Sequence, residues 1–210
     1  MHFADLDAVT VDGYGTIVRL VDPVPVLAGA LRERGAERSD EAVRDAFAAE
    51  VAYYRPQAMA GRDRESLAAL RLECTRVFLE TADVHLDPGS FVDDFIGAIV
   101  FQPIVGALET AAALRARGLE LAVVSNWDIG LTEHVDRVGA VSLFTAIVTT
   151  AEAGAPKPDP AVFRLALERL GVKPDRALHV GDEPEDEQGA RAAGMRFAHA
   201  PLATAFEGWT

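Results

Sequence analysis

The sequence predicts an α/β protein: a parallel sheet with helices on both faces, interrupted near its start by an all-helical insertion. Three observations carry this. A short apolar run at 8–11 ends in an acidic residue and a glycine-rich turn, residues 23–97 show helical periodicity without a persuasive strand, and after residue 101 apolar strands alternate with short helices.

The elements follow in order. The first strand, 8–11, leads into "DGYGT", which is Asp12, Gly13, Tyr14, Gly15 and Thr16. The next segment is helical, broken near "ERGAERSD", "RPQAMAGRDRES" and "HLDPGS". Its clearest helix places Leu67, Leu70, Cys74, Val77, Phe78 and Thr81 on one face, with Asp63 or Ser66 as the cap. Cys74 reads as a small core residue. Beyond residue 101 come a helix through 106–118, a buried strand at 119–125 and a helix around 129–139. A strand at 144–150, a helix at 159–171, a strand at 177–181, a helix at 185–194 and a short strand at 195–200 complete the pattern. The expected organisation is one α/β domain from residues 1–19 and 101–210, with residues 20–100 as the helical insertion.

Composition narrows the function classes. With 210 residues, half of them hydrophobic, the chain can bury one sizeable core or a core plus a smaller satellite. A formal charge of −13 argues against nucleic acid as a partner, because phosphate backbones need a basic surface. The single cysteine excludes an intramolecular disulfide and a cysteine-built zinc site, and fits a reducing, cytoplasmic setting. The first eighteen residues hold no Lys or Arg, and the most apolar run, 95–101, is far too short for a bilayer, so neither a signal peptide nor a membrane anchor is expected. Lysine occurs only at Lys157 and Lys173 against eighteen arginines, which singles out both positions.

In an open parallel sheet, ligands bind at the carboxyl ends of the strands. Four such places carry suggestive groups: Asp12 with Thr16, "SNWD" from Ser125, Lys157 in "APKPDP", and "GDEPED" with Asp182 and Asp186. Each alone reads equally well as turn or helix-start chemistry. Together, Asp12, Asp182 and Asp186 form a set suited to Mg²⁺, a hard cation that takes carboxylates, water and substrate oxygens. Ser125 and the backbone N–H groups after it suit a phosphoryl oxygen, and Lys157 supplies a neutralising point charge. Asp12 is the candidate nucleophile, since a carboxylate can form a covalent intermediate that water then hydrolyses.

The ordered set "DGYGT", "VVSNWD", "KPDP" and "GDEPED" resembles the haloacid dehalogenase superfamily across the whole α/β part of the chain. That resemblance implies a Rossmann-like core with a helical cap, residues 20–100, inserted after the first motif. It implies that Asp12 is the nucleophile, that Thr16 and Ser125 contact the transferred group, and that Lys157 orients it. In Mg²⁺-dependent members the ion is held by the nucleophile, by the backbone carbonyl two residues on, here that of Tyr14, and by the acidic pair matching Asp182 and Asp186. Tyr14, Asn126 and Trp127 are the expected substrate contacts, and the substrate is a small, anionic molecule.

Tyr14 divides the readings. Phosphatases of the superfamily usually carry a second Asp here as general acid and base, and a phenol, which ionises only near about pH 10, is a poor base at neutral pH. An aromatic at this position looks instead like the 2-haloacid dehalogenases, in which the leaving halide needs no proton. Those enzymes work without metal, whereas this chain has the acidic "GDEPED", has Phe163 where they have Tyr, and offers only Arg44 as a near match for their halide-binding Arg. The expectation is therefore a Mg²⁺-dependent phosphatase acting on a small phosphorylated metabolite, with an activated leaving group. The alternatives are a metal-independent 2-haloacid dehalogenase and a low-turnover binding protein for a phosphorylated ligand. In the insertion, Tyr53, Tyr54, Arg55, Arg62 and Arg64 are candidate specificity residues or, equally, packing tyrosines and a solvated basic loop. His134 and His179 show no partner pattern, and nothing separates a monomer from a dimer.

Overall fold

The computed structural model describes residues 2–207 and 209. The chain divides into two compact units, one built from residues 1–19 and 101–210 and the other from residues 20–100.

The first unit is built on a five-stranded sheet in the order β5-β4-β1-β6-β7, with every adjacent pair parallel. Its strands are β1 (Ala8–Val11), β4 (Glu120–Ser125), β5 (Ala146–Thr149), β6 (Ala177–Gly181) and β7 (Arg196–His199). Helices α5 (Ala107–Ala116), α6 (Leu131–Arg137), α7 (Thr150–Ala153), α8 (Ala161–Leu170) and α9 (Pro184–Ala192) connect them. Alternation along each strand feeds two separate cores. Val9, Val11, Leu121, Val123, Leu178 and Val180 pack with Leu114 of α5 and Leu131 and Val135 of α6. Ala8, Ala122, Val124 and Val148 pack with Val162, Phe163, Ala166 and Leu170 of α8. A sheet buried on both faces needs apolar residues at both parities, which explains the near-continuous apolar strands.

A separate two-stranded sheet joins β2 (Val18–Leu20) to β3 (Phe101–Pro103), the segments through which the chain leaves and re-enters the α/β fold. Neither strand is among the elements expected from the sequence. The expected strand at 144–150 is also shorter than its apolar pattern, because Thr149 caps α7 and Thr150 already belongs to that helix.

The second unit consists of α1 (Val24–Glu33), α2 (Asp40–Gln57), α3 (Arg64–Thr81) and α4 (Pro88–Ala98). Its core is almost wholly apolar, with Phe78 between Phe91 and Phe95 at ring-centroid distances of 6.3 and 5.1 Å. Asp63 caps α3 by accepting from the Ser66 N–H, and the Ser66 side chain returns a bond to the cap backbone. The buried stripe of α3 is Leu67, Leu70, Cys74, Thr75, Phe78 and Leu79. Thr81, expected on that face, is the last residue of the helix, and there it is exposed and bonds back to the Val77 carbonyl. Among the described residues, no helix is long and apolar enough to cross a membrane.

Candidate active site

Four polar positions meet at the carboxyl ends of β1, β4 and β6. Asp12 follows β1, and its N–H donates to the Val180 carbonyl at 2.9 Å, so strand pairing fixes its backbone. The residue is 5% exposed, and Oδ1 accepts from Ser125 Oγ at 3.0 Å and from Lys157 Nζ at 2.6 Å. Ser125 is the last residue of β4. The two glycines of the turn are required by close approach. A Cβ at Gly13 would meet Ser125 Oγ at 3.1 Å, and Gly15 combines a φ of +84° with an Asp182 oxygen 2.2 Å from where its Cβ would stand.

Lys157 is buried and central. Its ammonium donates to Asp12 Oδ1, to Asp186 Oδ1 at 2.5 Å and to the Val124 carbonyl at 3.3 Å, which uses all three of its protons. Burial opposes its charge, but Asp12 and Asp186 outweigh that and raise its pKa. Its loop is held by Asn126, whose Oδ1 accepts from the Lys157 N–H at 2.8 Å, so Asn126, expected to touch substrate, positions this loop. Lys173, the other lysine, is exposed and lies outside this group.

Asp186, in the first turn of α9, is fully buried. Burial pushes its carboxyl up, but hydrogen bonding from His179 and the Lys157 charge prevail and hold it well below the usual carboxylate range. Oδ1 takes bonds from Lys157 and His179, and Oδ2 from the Glu183 N–H at 3.1 Å. Of about four acceptor positions on a carboxylate, one remains. Asp182 is more open; Thr16, fully buried, donates to its Oδ1 at 3.3 Å. Burial, then the negative charges of Asp12 and Asp186, push its carboxyl up.

Oxygens of Asp12, Asp182 and Asp186 lie within 4.8 Å of one another, the one such cluster of possible metal ligands among the described residues. Lys157 pairs with Asp12 and Asp186 alone, and Asp182 adds a third carboxylate beside them, which leaves an excess of negative charge that a hard dication would balance. The donor set is all oxygen, as Mg²⁺ prefers.

Two further histidines belong to this neighbourhood. His179, a strand residue of β6, lies behind Asp186, fully buried, with Nε2 3.1 Å from Asp186 Oδ1 and Nδ1 2.8 Å from Thr10 Oγ1. Burial lowers its pKa, with the Asp186 hydrogen bond opposing and the Lys157 charge adding to the drop. Tyr14 is 46% exposed and begins a line of aromatic rings: its ring meets Phe101 edge-on at 6.5 Å, and Phe101 meets Trp127 at 5.2 Å and His134 at 4.8 Å. Trp127 is thus a wall residue resting on His134, 5.7 Å away. Within the helical unit, Tyr53 and Tyr54 pack against its core, while Arg44, Arg55, Arg62 and Arg64 are exposed.

The haloacid dehalogenase-like hydrolase family matches residues 6–194. The chain belongs to that family. "Haloacid dehalogenase-like hydrolase domain-containing protein 3" of Mus musculus is 43% identical over 104 residues, 49% of this chain and 41% of that protein. A phosphoserine phosphatase of Thermus thermophilus is 42% identical over 87 residues, 40% of this chain and 35% of that protein. The chain therefore spans about two-fifths of the curated relatives it matches. Among solved structures, the L-2-haloacid dehalogenase of Xanthobacter autotrophicus with chloropropionic acid covalently bound is 27% identical, covering 96% of this chain and 82% of that one at a TM-score of 0.65.

Proposed function

We propose that this haloacid dehalogenase-like hydrolase is a Mg²⁺-dependent phosphatase for a small phosphorylated metabolite whose leaving group is activated, such as an acyl or aryl phosphate. One observation carries the reading: a nucleophile-type carboxylate, Asp12, shares Lys157 with a second buried carboxylate, Asp186, next to the open carboxyl of Asp182. A phosphatase among the relatives supports it.

Ser125 and Lys157 both bind Asp12 Oδ1, which turns Oδ2 into the attacking oxygen. Attack forms an Oδ2–phosphorus bond and breaks the bond from phosphorus to the leaving oxygen. Water then attacks the phosphoaspartate, releasing phosphate and restoring the carboxylate. Ser125 and Thr16 contact phosphoryl oxygens, and Lys157 offsets their charge. Asp12, the Tyr14 carbonyl and Asp182 would hold the ion, and Asp186 has one acceptor position left for it. Bound there, Mg²⁺ supplies positive charge against the phosphoryl oxygens. Tyr14 cannot replace the usual Asp as proton donor, so the leaving group departs unaided. The aromatic line of Tyr14, Phe101 and Trp127 offers it apolar contact. The insertion acts as a cap that selects substrate, and the protein works in the cytoplasm.

A second reading has a specific observation behind it. The dehalogenase neighbour carries a covalently bound chloropropionic acid, and an aromatic at position 14 is natural for a halide leaving group. A paired assay separates the two: phosphate release from p-nitrophenyl phosphate and acetyl phosphate with and without Mg²⁺, beside chloride release from 2-chloropropionate. Mg²⁺-dependent phosphate release that Asp12→Asn lowers by on the order of 10⁴-fold is the expected result. Metal-independent chloride release lost in the same variant would establish the second reading instead. Tyr14→Asp should raise turnover of unactivated phosphate esters by up to about 10²-fold, the contribution of the missing general acid.

A further inference from the structure

The strands of the α/β unit carry two polar side chains that touch neither Asp12 nor the open end of the site. Thr10 and His179 are both fully buried and stand opposite each other in the parallel pairing of β1 and β6. Thr10 Oγ1 lies 2.8 Å from His179 Nδ1, and His179 Nε2 lies 3.1 Å from Asp186 Oδ1. The ring is gripped by aromatics: Phe163 stands edge-on at 4.9 Å and Phe197 is tilted at 6.3 Å.

The hydrogen-bond pattern has one self-consistent direction. Asp186 Oδ1 already accepts from Lys157 and can only accept from the imidazole as well, so the ring proton resides on Nε2. In the neutral ring Nδ1 is then an acceptor, and its partner is the Thr10 hydroxyl. The order is fixed from back to front: Thr10 donates to His179, His179 to Asp186, and Lys157 to both Asp186 and Asp12.

We propose that His179, oriented by Thr10, is a positioning residue for the nucleophile: it holds Asp186 so that Lys157 divides its charge between Asp186 and Asp12. Without that hold, Asp186 turns away, and Lys157 pairs with Asp12 alone. The nucleophile is then more tightly neutralised and less free to attack. This rests on the reading of Asp12 as nucleophile, and it assigns a task to a buried strand residue that does not itself touch Asp12.

Three variants and one spectrum test it. His179→Leu removes the donor, His179→Gln keeps an N–H at about the Nε2 position, and Thr10→Val removes the hydroxyl at nearly constant shape. With p-nitrophenyl phosphate, His179→Leu should lose about 10- to 100-fold in kcat with KM little changed, the scale of supporting hydrogen bonds at such centres. His179→Gln should recover most of that loss, and Thr10→Val should show a smaller loss of the same kind. Independently of turnover, ring-nitrogen NMR of histidine-labelled protein should show His179 as a single, slowly exchanging Nε2–H tautomer that becomes mixed in Thr10→Val. If His179→Leu does not fold, the Gln and Val variants and the spectrum still decide. Equal activity in Leu and Gln variants, a change confined to KM, or an Nδ1–H tautomer in the unmodified protein would overturn the proposal. Absence of wild-type phosphate release would count against the phosphatase reading, and the spectrum would still judge the arrangement.

Discussion

Asp186 and Glu50 are carboxylates almost fully removed from solvent, at 0% and 4% exposure, one in each unit of the chain, and their surroundings move them in opposite directions. For Asp186, burial raises the pKa, but the His179 hydrogen bond and Lys157 reverse the balance and keep it ionised. For Glu50, on α2 in the helical unit, no cation of the described residues contributes: burial pushes it up to about 7, and a hydrogen bond with Cys74 only partly offsets this. Among the described residues Glu50 is the one buried charged side chain of its unit, whereas the α/β unit buries Asp12, Lys157, His179 and Asp186 together. Burial alone therefore does not mark an active centre. What distinguishes the α/β unit is that Asp12 and Asp186 are buried against an opposite charge, Lys157, at the carboxyl ends of the strands.

The strongest way to break this contrast is to remove the cation. Lys157→Met leaves Asp12 and Asp186 buried without their counter-charge, and loss of one member of a buried pair costs about 3–5 kcal/mol. Urea unfolding at neutral pH should show that drop, and acidification should return part of it as Asp186 protonates. A variant as stable as the wild type at neutral pH would mean that Lys157 serves chemistry alone.

Next in size is the helical unit. Glu50 has a folded pKa of about 7 against an ordinary value of 4.5, so between those values the folded state binds more protons than the unfolded one. Stability of α2 and α3 should therefore fall as pH rises from about 4.5 to about 7, by about 3 kcal/mol in all if the shift is fully expressed. Amide hydrogen exchange in these helices checks it, and Glu50→Gln should flatten the difference across that window. Parallel pH curves for variant and wild type would place the carboxyl in a more polar setting than its burial indicates.

These outcomes also show how far a sequence can be read. Asp12, Ser125, Lys157, Asp182 and Asp186 stand out because each follows or ends an apolar strand, and a parallel sheet gathers such ends at one edge. Thr10 and His179 escape that rule. They sit inside strands and are 169 residues apart, so only the β1–β6 register reveals that they touch. The pair β2 and β3 escapes for a different reason: three residues each, one of them a proline, carry no periodicity. Glu50 was within reach, since Val43, Ala46 and Glu50 fall at helical spacing on the buried stripe of α2.

The smallest expected effect supplies the control that the Glu50 experiment needs. Ser39 caps α2, its Oγ accepting from the Ala42 N–H at 3.2 Å, and Ser39→Ala removes that bond from the same helix without touching a carboxyl in its core. Loss of an N-cap costs about 1 kcal/mol. Hydrogen exchange should show α2 weakened by that amount at every pH between about 4.5 and 7, because a serine hydroxyl does not titrate there. A pH-independent loss in Ser39→Ala beside a pH-dependent gain in Glu50→Gln would tie the slope to the buried carboxyl. If Ser39→Ala also changed the slope, the slope would belong to helix opening in general, and the contrast between an unpaired Glu50 and a paired Asp186 would rest on Asp186 alone.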